Sequence, residues 1–396
     1  MRTNLLCIVC LLIFYSTASA QILWDKKQLK QVRREVATEQ YKDAYSALIK
    51  RAEKDLKLEP LTVLSKKHTP ASGDMHDYMS LSRYYWPDPT KPDGLPYISK
   101  DGQSNPELNE YDRNALGSMS TRVQDLTLAW FLSGDRRYAD KAVEQVKVWF
   151  VNADTRMNPN MNYAQMVPGK NGNLGNTFGV LDAYSFFGMI DALKLLESYS
   201  GFKKSDRKVV KAWFKEFVVW MKTSKQGLGE SKAKNNHGTT YDVQLLAYSL
   251  YCGDKASARE VIKAFPEKRI FTQIEPDGSQ PLELKRTQGF HYSWYNVNHM
   301  LDFCIMAKRF GMPVDNVTSA DGRGFYKAVE FLAQYIGEDA SAWPYSQMKE
   351  WVSVQQKLVL DMYRIEKYLK PSVGLNSNWK KINENRKKTE IDYLLY

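Results

Sequence analysis

Apolar residues recur at helical spacing along most of this chain. Val243, Leu246, Ala247 and Leu250 fall on one face of a helix, and Gly253 ends the run. The same periodicity predicts further helices over residues 26–57 (broken once), 121–133, 136–151, 178–199, 205–223, 255–264, 287–310, 324–336 and 348–368. Few segments alternate between apolar and polar residues as strands do, so the pattern indicates an all-α protein.

Neighbouring helices are joined twice by the same short turn. Gly134-Asp135 links the segments 121–133 and 136–151, and Gly253-Asp254 links the next such pair. Helical hairpins in series pack helix on helix, and no fixed repeat length of the solenoid type accompanies them. We therefore predict an α/α toroid, an incomplete α/α barrel of helical hairpins, as a single domain over residues 21–396.

Two long irregular segments interrupt the helical pattern. Loop A, residues 68–110, is rich in proline and glycine and contains Tyr84 and Trp86, whereas loop B, residues 152–177, is rich in Asn, Gly and Met. Loops of this length are usually functional or disordered, and their aromatic residues argue against disorder. We expect both loops to form the walls of a cleft.

Residues 1–20 have the features of a signal peptide. Arg2 precedes an apolar stretch over residues 5–15, and Ala18-Ser19-Ala20 is a small-residue cleavage site before Gln21. The apolar stretch is too short to span a bilayer comfortably, and no later segment is long and apolar enough. We therefore expect an exported protein, periplasmic or secreted, without membrane insertion.

The mature chain would keep two cysteines, Cys252 and Cys304. Each lies on an apolar helical stripe, so we expect free buried thiols, although export also permits a disulfide. Because the mature chain would have no CxxC motif and no Cys/His cluster, the sequence predicts no metal site.

Charge and composition indicate the class of partner. Lys and Arg number 56 against 45 Asp and Glu, the formal net charge is +11, and aromatic residues make up 13% of the chain. Such a charge attracts anionic partners. Because the basic residues are scattered and export is expected, an acidic polysaccharide fits better than nucleic acid, and the aromatic residues suit stacking on sugar rings. The sequence carries no feature that sets an oligomeric state.

The segment Asn235-Asn236-His237-Gly238 precedes a predicted helix. Thr239 is expected to cap that helix, with Asp242 completing a capping-box-like pair. Asn236 and His237 would then lie ahead of a helix N-terminus, where unpaired N–H groups and the helix dipole favour a bound carboxylate and a neutral imidazole. The alternative is an ordinary turn that uses Asn and Gly for their backbone tolerance, and it stays equally open.

A second polar stretch runs from Glu275 into the helix predicted from residue 287. Tyr292 and Tyr295 form a polar-aromatic stripe on this helix, and Arg286 is expected in its irregular lead-in with the side chain curling toward Tyr292. Such a stripe often belongs to a packed core, and that alternative is retained. The chain has only 5 histidines, however, and most of them lie in these two stretches.

An Asn, a His, an Arg and a Tyr together suit β-elimination from a uronic acid. Arg and amide groups can neutralise the carboxylate next to C5, a neutral His or a Tyr phenolate can remove the C5 proton, and a Tyr hydroxyl can protonate the leaving O4. A neighbouring Arg would stabilise the phenolate. A glycoside hydrolase would instead need two carboxylates, and Glu275, Asp277 and Glu283 keep that alternative open.

The two stretches together resemble the alginate lyase family, which is built on an α/α toroid. The resemblance rests on Asn235-Asn236-His237-Gly238-Thr239, on Arg286-Thr287 and on His291-Tyr292. Further agreeing segments are residues 84–89 with 101–102, 132–139 and 275–280. They follow in the same order, so the resemblance extends from about residue 70 to about residue 310.

The resemblance implies a role for each of four residues. Asn236 and Arg286 would neutralise the C5 carboxylate, and His237 would remove the C5 proton on one face of the sugar ring. Tyr292 would protonate O4 and would also act as the base where the C5 proton lies on the same side as O4, as in mannuronate. No metal or other cofactor is implied. The family's Trp soon after Asn-Asn-His is replaced here by Thr240-Tyr241, so glucuronan or another polyuronate is retained as an alternative substrate.

The sequence thus predicts a polysaccharide lyase for which alginate is the first candidate substrate. The candidates for further contacts in the cleft are Tyr84, Trp86, Gln124, Asn176, Tyr241, His291 and Tyr295. Packing inside the protein is an equal alternative for five of them, namely Tyr84, Trp86, Gln124, Asn176 and Tyr241. A glycoside hydrolase on an α/α barrel and a non-catalytic protein that binds acidic glycans are the other classes retained.

Overall fold

The computed structural model describes residues 22–100, 102–369, 379–380 and 390–396. The predicted signal peptide, residues 1–20, lies outside these ranges. The helices are α1 (Lys26–Glu35), α2 (Lys42–Leu56), α3 (Arg113–Ser133), α4 (Arg136–Phe150), α5 (Tyr184–Leu196), α6 (Lys204–Thr223), α7 (Lys225–Glu230), α8 (Asn236–Cys252), α9 (Lys255–Phe265), α10 (Phe271–Gln273), α11 (Pro281–Leu284), α12 (Gly289–Arg309), α13 (Phe325–Ala333), α14 (Trp351–Arg364) and α15 (Asp392–Leu395). None of the helices in the described ranges combines the length and hydropathy that a bilayer crossing requires.

Inner and outer helices alternate around a ring. The inner helices α3, α5, α8, α12 and α14 pack side by side in that order, and α4, α6, α9 and α13 cover them from outside. Burial follows the same division, because α8 is buried along nearly its whole length whereas α4 and α9 each bury one face. The all-α toroid predicted from the sequence is confirmed.

Both Gly-Asp turns have the same local geometry. Gly134 and Gly253 end α3 and α8 in the left-handed conformation, with φ of 82° and 84°, which glycine adopts without steric cost. Asp135 and Asp254 then cap the next helix, since each carboxylate accepts a backbone N–H from the first turn of α4 or α9. One dipeptide thus ends an inner helix and starts the outer helix that follows it.

Several helices start at other residues than the periodicity predicts. Helix α3 begins at Arg113 rather than at residue 121, because further apolar residues extend its buried face toward the N-terminus. Residues Thr177–Ala183 form a 3-10 helix, so α5 begins at Tyr184 rather than at residue 178. The two cysteines outside the predicted signal peptide are free, as expected, but only Cys304 is buried and Cys252 is half-buried.

Loops A and B are joined to one another by short strands. In loop A, β1 (Met79–Leu81) pairs in parallel with β4 (Tyr163–Met166) of loop B, and β2 (Tyr85–Trp86) pairs with β3 (Ile98–Ser99) in antiparallel fashion. Side chains of β1 and β4 are buried with Tyr111 in a small apolar cluster separate from the main core. The two loops are therefore ordered by a core of their own, in agreement with the expectation from their aromatic residues.

Four inner helices begin at the same end of the ring. Burial raises the pKa of Tyr295 on α12 to about 12, while the Thr240 hydroxyl of α8 and the Arg113 charge of α3 act in the opposite direction, which places both beside Tyr295. Tyr184, the first residue of α5, packs its ring against that of His299 on α12, with 4.8 Å between the ring centroids. The inner helices thus run in the same direction, and the positive ends of their dipoles at this end of the toroid favour an anionic ligand.

Candidate active site

Helix α8 begins earlier than the sequence predicts. Asn235 is its N-cap, because the Asn235 side chain accepts the backbone N–H of His237 at 3.3 Å. Asn236 and His237 therefore lie in the first helical turn rather than ahead of the helix. The predicted cap, Thr239, is wrong: its side chain is fully buried and its hydroxyl donates to Gln273 Oε1 at 3.0 Å.

Asp242 is not part of a capping box but of a buried ion pair. Its carboxylate accepts from Arg269 Nε at 2.7 Å, and the same guanidinium donates to the carbonyl oxygens of Ser231 and Ala233 at 2.8 and 2.7 Å. Arg269 is 1% exposed. Arg269 therefore links α8 to the segment that precedes Asn235 through these hydrogen bonds, and this link determines where the helix starts.

Gly238 lies where the chain passes closest to this arginine. A Cβ at position 238 would meet the Ala233 carbonyl oxygen at 2.1 Å and Arg269 Nη1 at 2.2 Å. Both distances are far below van der Waals contact, and both neighbours are held by hydrogen bonds. A glycine is therefore required here by close approach rather than by backbone conformation.

Replacing Gly238 with alanine is expected to destabilise the protein by about 1–3 kcal/mol, the usual cost of overpacking a well-packed interior. Thermal unfolding would report this as a lowered Tm. The matched control is Gly117→Ala on α3, where a Cβ meets nothing within 4 Å and alanine is the better helix former. An unchanged Tm for Gly238→Ala would show that the segment carrying Ala233 is free to move.

Asn236 is held from both its backbone and its side chain by one carboxylate. Glu283 on α11 accepts the backbone N–H of Asn236 at Oε1 and its Nδ2 at Oε2, each at 2.6 Å. Asn236 is 3% exposed and Glu283 1% exposed. An amide has two N–H groups, so this contact orients Nδ2 while leaving its second N–H for a ligand.

His237 is held by a different carboxylate. Its Nδ1 lies 2.9 Å from Glu230 Oε1, with the His237 side chain 30% exposed and that of Glu230 3% exposed. The imidazole thus has one edge fixed against a buried acid and part of the ring open to solvent. Glu230 ends helix α7 and was not among the residues singled out from the sequence.

Arg286 lies between α11 and α12, in the irregular lead-in where the sequence places it. Its guanidinium carbon is 3.9 Å from the centroid of the Tyr292 ring, well inside the range of a cation–π contact. Tyr292 is half-buried, in the first turn of α12. The predicted approach of the arginine side chain to this tyrosine is confirmed.

The four residues Asn236, His237, Arg286 and Tyr292, hereafter the four-residue cluster, share one side of the molecule. Burial raises the pKa of Glu283, and its hydrogen bonds to Asn236 and the charges of Arg286 and His237 lower it again. Arg286 and His237 are thus both within electrostatic reach of the same carboxylate. Since Arg286 also covers the Tyr292 ring, the contacts of Glu283 and Arg286 link the four side chains.

Aromatic side chains continue from this cluster along α12. His291 packs edge-on against Tyr292 at 5.3 Å and stacks parallel to Tyr295 at 6.2 Å, both between ring centroids. Tyr295 in turn packs on His299 at 4.1 Å. Burial, followed by the charge of Lys357, lowers the pKa of His291. His291 and Tyr295 therefore flank the cluster, as the sequence predicts.

The other predicted cleft residues lie elsewhere, and one of those predictions is wrong. Tyr241 is 2% exposed and its hydroxyl donates to the Met221 carbonyl oxygen at 2.8 Å, so it packs in the core and cannot contact a sugar. Gln124 lines a separate cavity of about 320 Å³ that includes Trp294 but no member of the four-residue cluster.

Three predicted contacts belong to the loops. Trp86 Nε1 donates to the Gln103 carbonyl oxygen at 3.0 Å, which holds its half-buried ring within loop A. Tyr84 is also half-buried in loop A. Asn176 of loop B donates through Nδ2 to the Gln165 carbonyl oxygen at 2.7 Å. These contacts order the loops, and binding of the polymer by these three side chains stays a prediction.

The carboxylates considered for a glycoside hydrolase do not form a catalytic pair. Glu283 is buried and occupied by Asn236, and Glu275 pairs with Arg323 at 3.0 Å. Hydrogen bonding from Ser279 lowers the pKa of Asp277. Among the described residues no group of three or more His, Cys, Asp or Glu side chains is placed to hold a metal ion.

The known proteins that are similar to this chain include alginate lyases. The family model for alginate lyase matches residues 62–343, whereas no curated protein matches. A crystal structure of an alginate lyase from Bacteroides ovatus is 44% identical, covers 95% of this chain and 98% of its own, and has a TM-score of 0.89.

More distant structures share the fold. Alginate lyase A1-III from Sphingomonas species A1 is 16% identical over 94% of this chain and 97% of its own, with a TM-score of 0.56. A variant of A1-III complexed with a tetrasaccharide gives the same identity and TM-score. The matches define the class of enzyme, a polysaccharide lyase on an α/α toroid. The chain belongs to the alginate lyase family.

Proposed function

We propose that this protein cleaves alginate by β-elimination in the groove around the four-residue cluster. The observation that carries the proposal is the position of the Arg286 guanidinium, 3.9 Å from the Tyr292 ring and within electrostatic reach of the carboxylate that holds Asn236. A substrate carboxylate bound to this guanidinium would bring its C5 and O4 atoms toward the phenol. The similar proteins are alginate lyases, and alginate is therefore the proposed polymer.

Charge neutralisation is the first part of the proposed mechanism. Arg286 and the second Nδ2–H of Asn236 bind the carboxylate at C5, so the negative charge that develops on it when C5 loses its proton meets donors already in place. The N-termini of the inner helices at this end of the toroid act in the same direction. Together they make an otherwise weakly acidic C–H bond ionisable.

Proton transfer and bond cleavage follow. In guluronate, His237 Nε2 takes the C5 proton, the electron pair left at C5 forms the C4=C5 double bond, and the C4–O4 bond breaks with its electrons going to O4. Tyr292 donates its hydroxyl proton to O4. In mannuronate, the Tyr292 phenolate takes the C5 proton and returns it to O4. The products are a new reducing end and a 4,5-unsaturated uronate end.

The test is incubation with alginate, poly-mannuronate, poly-guluronate and glucuronan, followed by absorbance of the C4=C5 double bond near the ultraviolet edge. We expect absorbance to rise with alginate and with both of its homopolymers. Reducing ends without absorbance would indicate a hydrolase, and retention on alginate without new ends would indicate a binding protein. Thr240 and Tyr241, which stand in place of the family's Trp, are both buried. They therefore give no guide to whether glucuronan is a substrate, and the assay with glucuronan answers that question.

Replacing Glu283 with glutamine is expected to lower kcat/KM on poly-mannuronate and poly-guluronate alike. The new amide places a donor opposite one of the two Asn236 donors, and an unsatisfied buried donor costs about 1–3 kcal/mol. Taken as the transition-state stabilisation lost when the Asn236 amide is turned away from the substrate, this free energy corresponds to a loss of about fivefold to 150-fold in rate. A loss confined to one polymer would show that Asn236 does not serve both reactions.

We further propose that the protein is exported after cleavage before Gln21. The chain is docked immediately beyond this point, since the buried Asp191 carboxylate accepts the backbone N–H groups of Leu23 and Trp24 at 2.6 and 2.9 Å. Removal of residues 1–20 would leave these contacts intact. N-terminal sequencing of the exported protein is expected to begin at Gln21, and a start at Met1 would contradict the proposal.

A further inference from the structure

Glu230 is built into a rigid support behind His237. It is the last residue of α7, a helix that Ser224 caps by accepting the Gly227 backbone N–H at 3.0 Å. A Cβ on Gly227 would lie 2.0 Å from the Met221 carbonyl oxygen, and one on Gly229 would lie 2.3 Å from Thr177 Cγ2 of loop B. The helix is therefore wedged between α6 and loop B, and Glu230 has little freedom to move.

The contact between Glu230 and His237 defines the state of the imidazole. An ionised carboxylate can only accept a hydrogen bond, so with Glu230 ionised the 2.9 Å contact is one in which Nδ1 carries the proton and donates it. The lone pair of the neutral ring is then on Nε2, on the edge away from the buried acid. The side chain of Glu230 is 3% exposed and does not reach a polymer in the groove.

We propose that Glu230 is a positioning residue that selects the Nδ1–H tautomer of His237 and stabilises the imidazolium formed when Nε2 takes a proton. The inference rests on the proposed function and deepens it. Because His237 is the base for guluronate and Tyr292 for mannuronate, Glu230 controls one of the two reactions. It thereby sets which uronate epimer the enzyme processes faster.

The experiment compares Glu230→Gln and Glu230→Leu with the wild type on poly-guluronate and poly-mannuronate. Glutamine keeps an acceptor for Nδ1–H but removes the charge, whereas leucine removes both. On poly-guluronate we expect kcat to fall about tenfold for the glutamine variant and about a hundredfold for the leucine variant, the latter being the lower end of the 10²–10⁴ that general acid–base catalysis contributes. KM is expected to stay the same, and poly-mannuronate turnover to change less than threefold.

The matched control is Asp315→Asn. Asp315 is a carboxylate of similar burial, 1% exposed, that accepts from the Tyr326 hydroxyl at 2.8 Å. It precedes α13, remote from the first turn of α12. This variant reports the effect of losing any buried acid, so its activity on both polymers should match the wild type.

A second readout does not depend on activity. In protein labelled with ¹⁵N-histidine, the His237 signal, assigned through its absence in His237→Gln, should show the Nδ1–H tautomer in the wild type and a mixture in Glu230→Leu. An Nε2–H tautomer in the wild type would overturn the proposal, as would equal loss of turnover on both polymers. If the wild type cleaves no polymer, the proposed function fails while the tautomer still decides the role of Glu230.

Discussion

Tyr292→Phe is expected to abolish turnover of every uronate polymer while leaving the fold intact. The variant keeps the ring that lies 3.9 Å from the Arg286 guanidinium carbon and loses only the hydroxyl. In the proposed mechanism that hydroxyl is the acid at O4 for both epimers and the base for one of them. Removing a general acid costs about 10²–10⁴ in rate, and loss of the base adds to this on mannuronate.

The measurement is the initial rate of ultraviolet absorbance with each polymer, together with thermal unfolding to verify the fold. Tyr199→Phe is the matched control. The Tyr199 hydroxyl donates a hydrogen bond to the Asp140 carboxylate at 2.5 Å. Tyr199 follows the C-terminal end of α5, the end away from the four-residue cluster. Near-normal rates for Tyr292→Phe would remove this phenol from the mechanism, whatever the position of its ring.

His237→Ala is expected to lower the turnover of poly-guluronate much more than the turnover of poly-mannuronate. Turnover of poly-guluronate should fall by about 10²–10⁴, because no other base stands on that face of the sugar. Turnover of poly-mannuronate should fall much less, because Tyr292 supplies both proton transfers there. The ratio of the two rates is the informative quantity, since any general damage to the fold cancels in it.

Kinetics on the two homopolymers, with kcat and KM separated, checks this division. An equal loss on both would show that His237 binds the polymer or supports the groove rather than removing a proton. A loss only on poly-mannuronate would exchange the roles of His237 and Tyr292. Comparison with Glu230→Leu is useful, because both variants should affect the same polymer.

The helical hairpins could be predicted from sequence because each inner helix carries an apolar stripe and the Gly-Asp turns mark two of the joins. The approach of Arg286 to Tyr292 could be predicted as well. The two residues are six positions apart and would point about 120° from each other on a continuous helix, so the lead-in had to be irregular. Both predictions depend on local backbone geometry alone.

The carboxylates behind the cluster could not be predicted in the same way. Glu230 lies on α7, a six-residue helix with two glycines and no apolar stripe, so periodicity gives no signal for it. From the sequence, Glu283 is a candidate only for the catalytic acid of a hydrolase. Their partners are set by how α7 and α11 pack on the start of α8, which is tertiary information.

The start of α8 was misplaced for a related reason. Asn235 and Thr239 are both good N-caps, and local sequence does not choose between them. The choice follows from Arg269, which fastens the preceding segment, and from Glu283, which takes the Asn236 backbone N–H. Tyr241 shows the same limit, because its helical position suits the groove but its hydroxyl finds a carbonyl of α6.

The inner helices present their N-termini at one end of the toroid, and this affects how binding to alginate can be interpreted. Peptide dipoles carry no proton to gain or lose, and no single side-chain replacement removes them. The electrostatic attraction between this end of the toroid and a polyanion therefore persists when any one cationic or catalytic side chain is replaced. Inactive variants should still adsorb to an alginate column, so adsorption does not rank residues by their share in the chemistry.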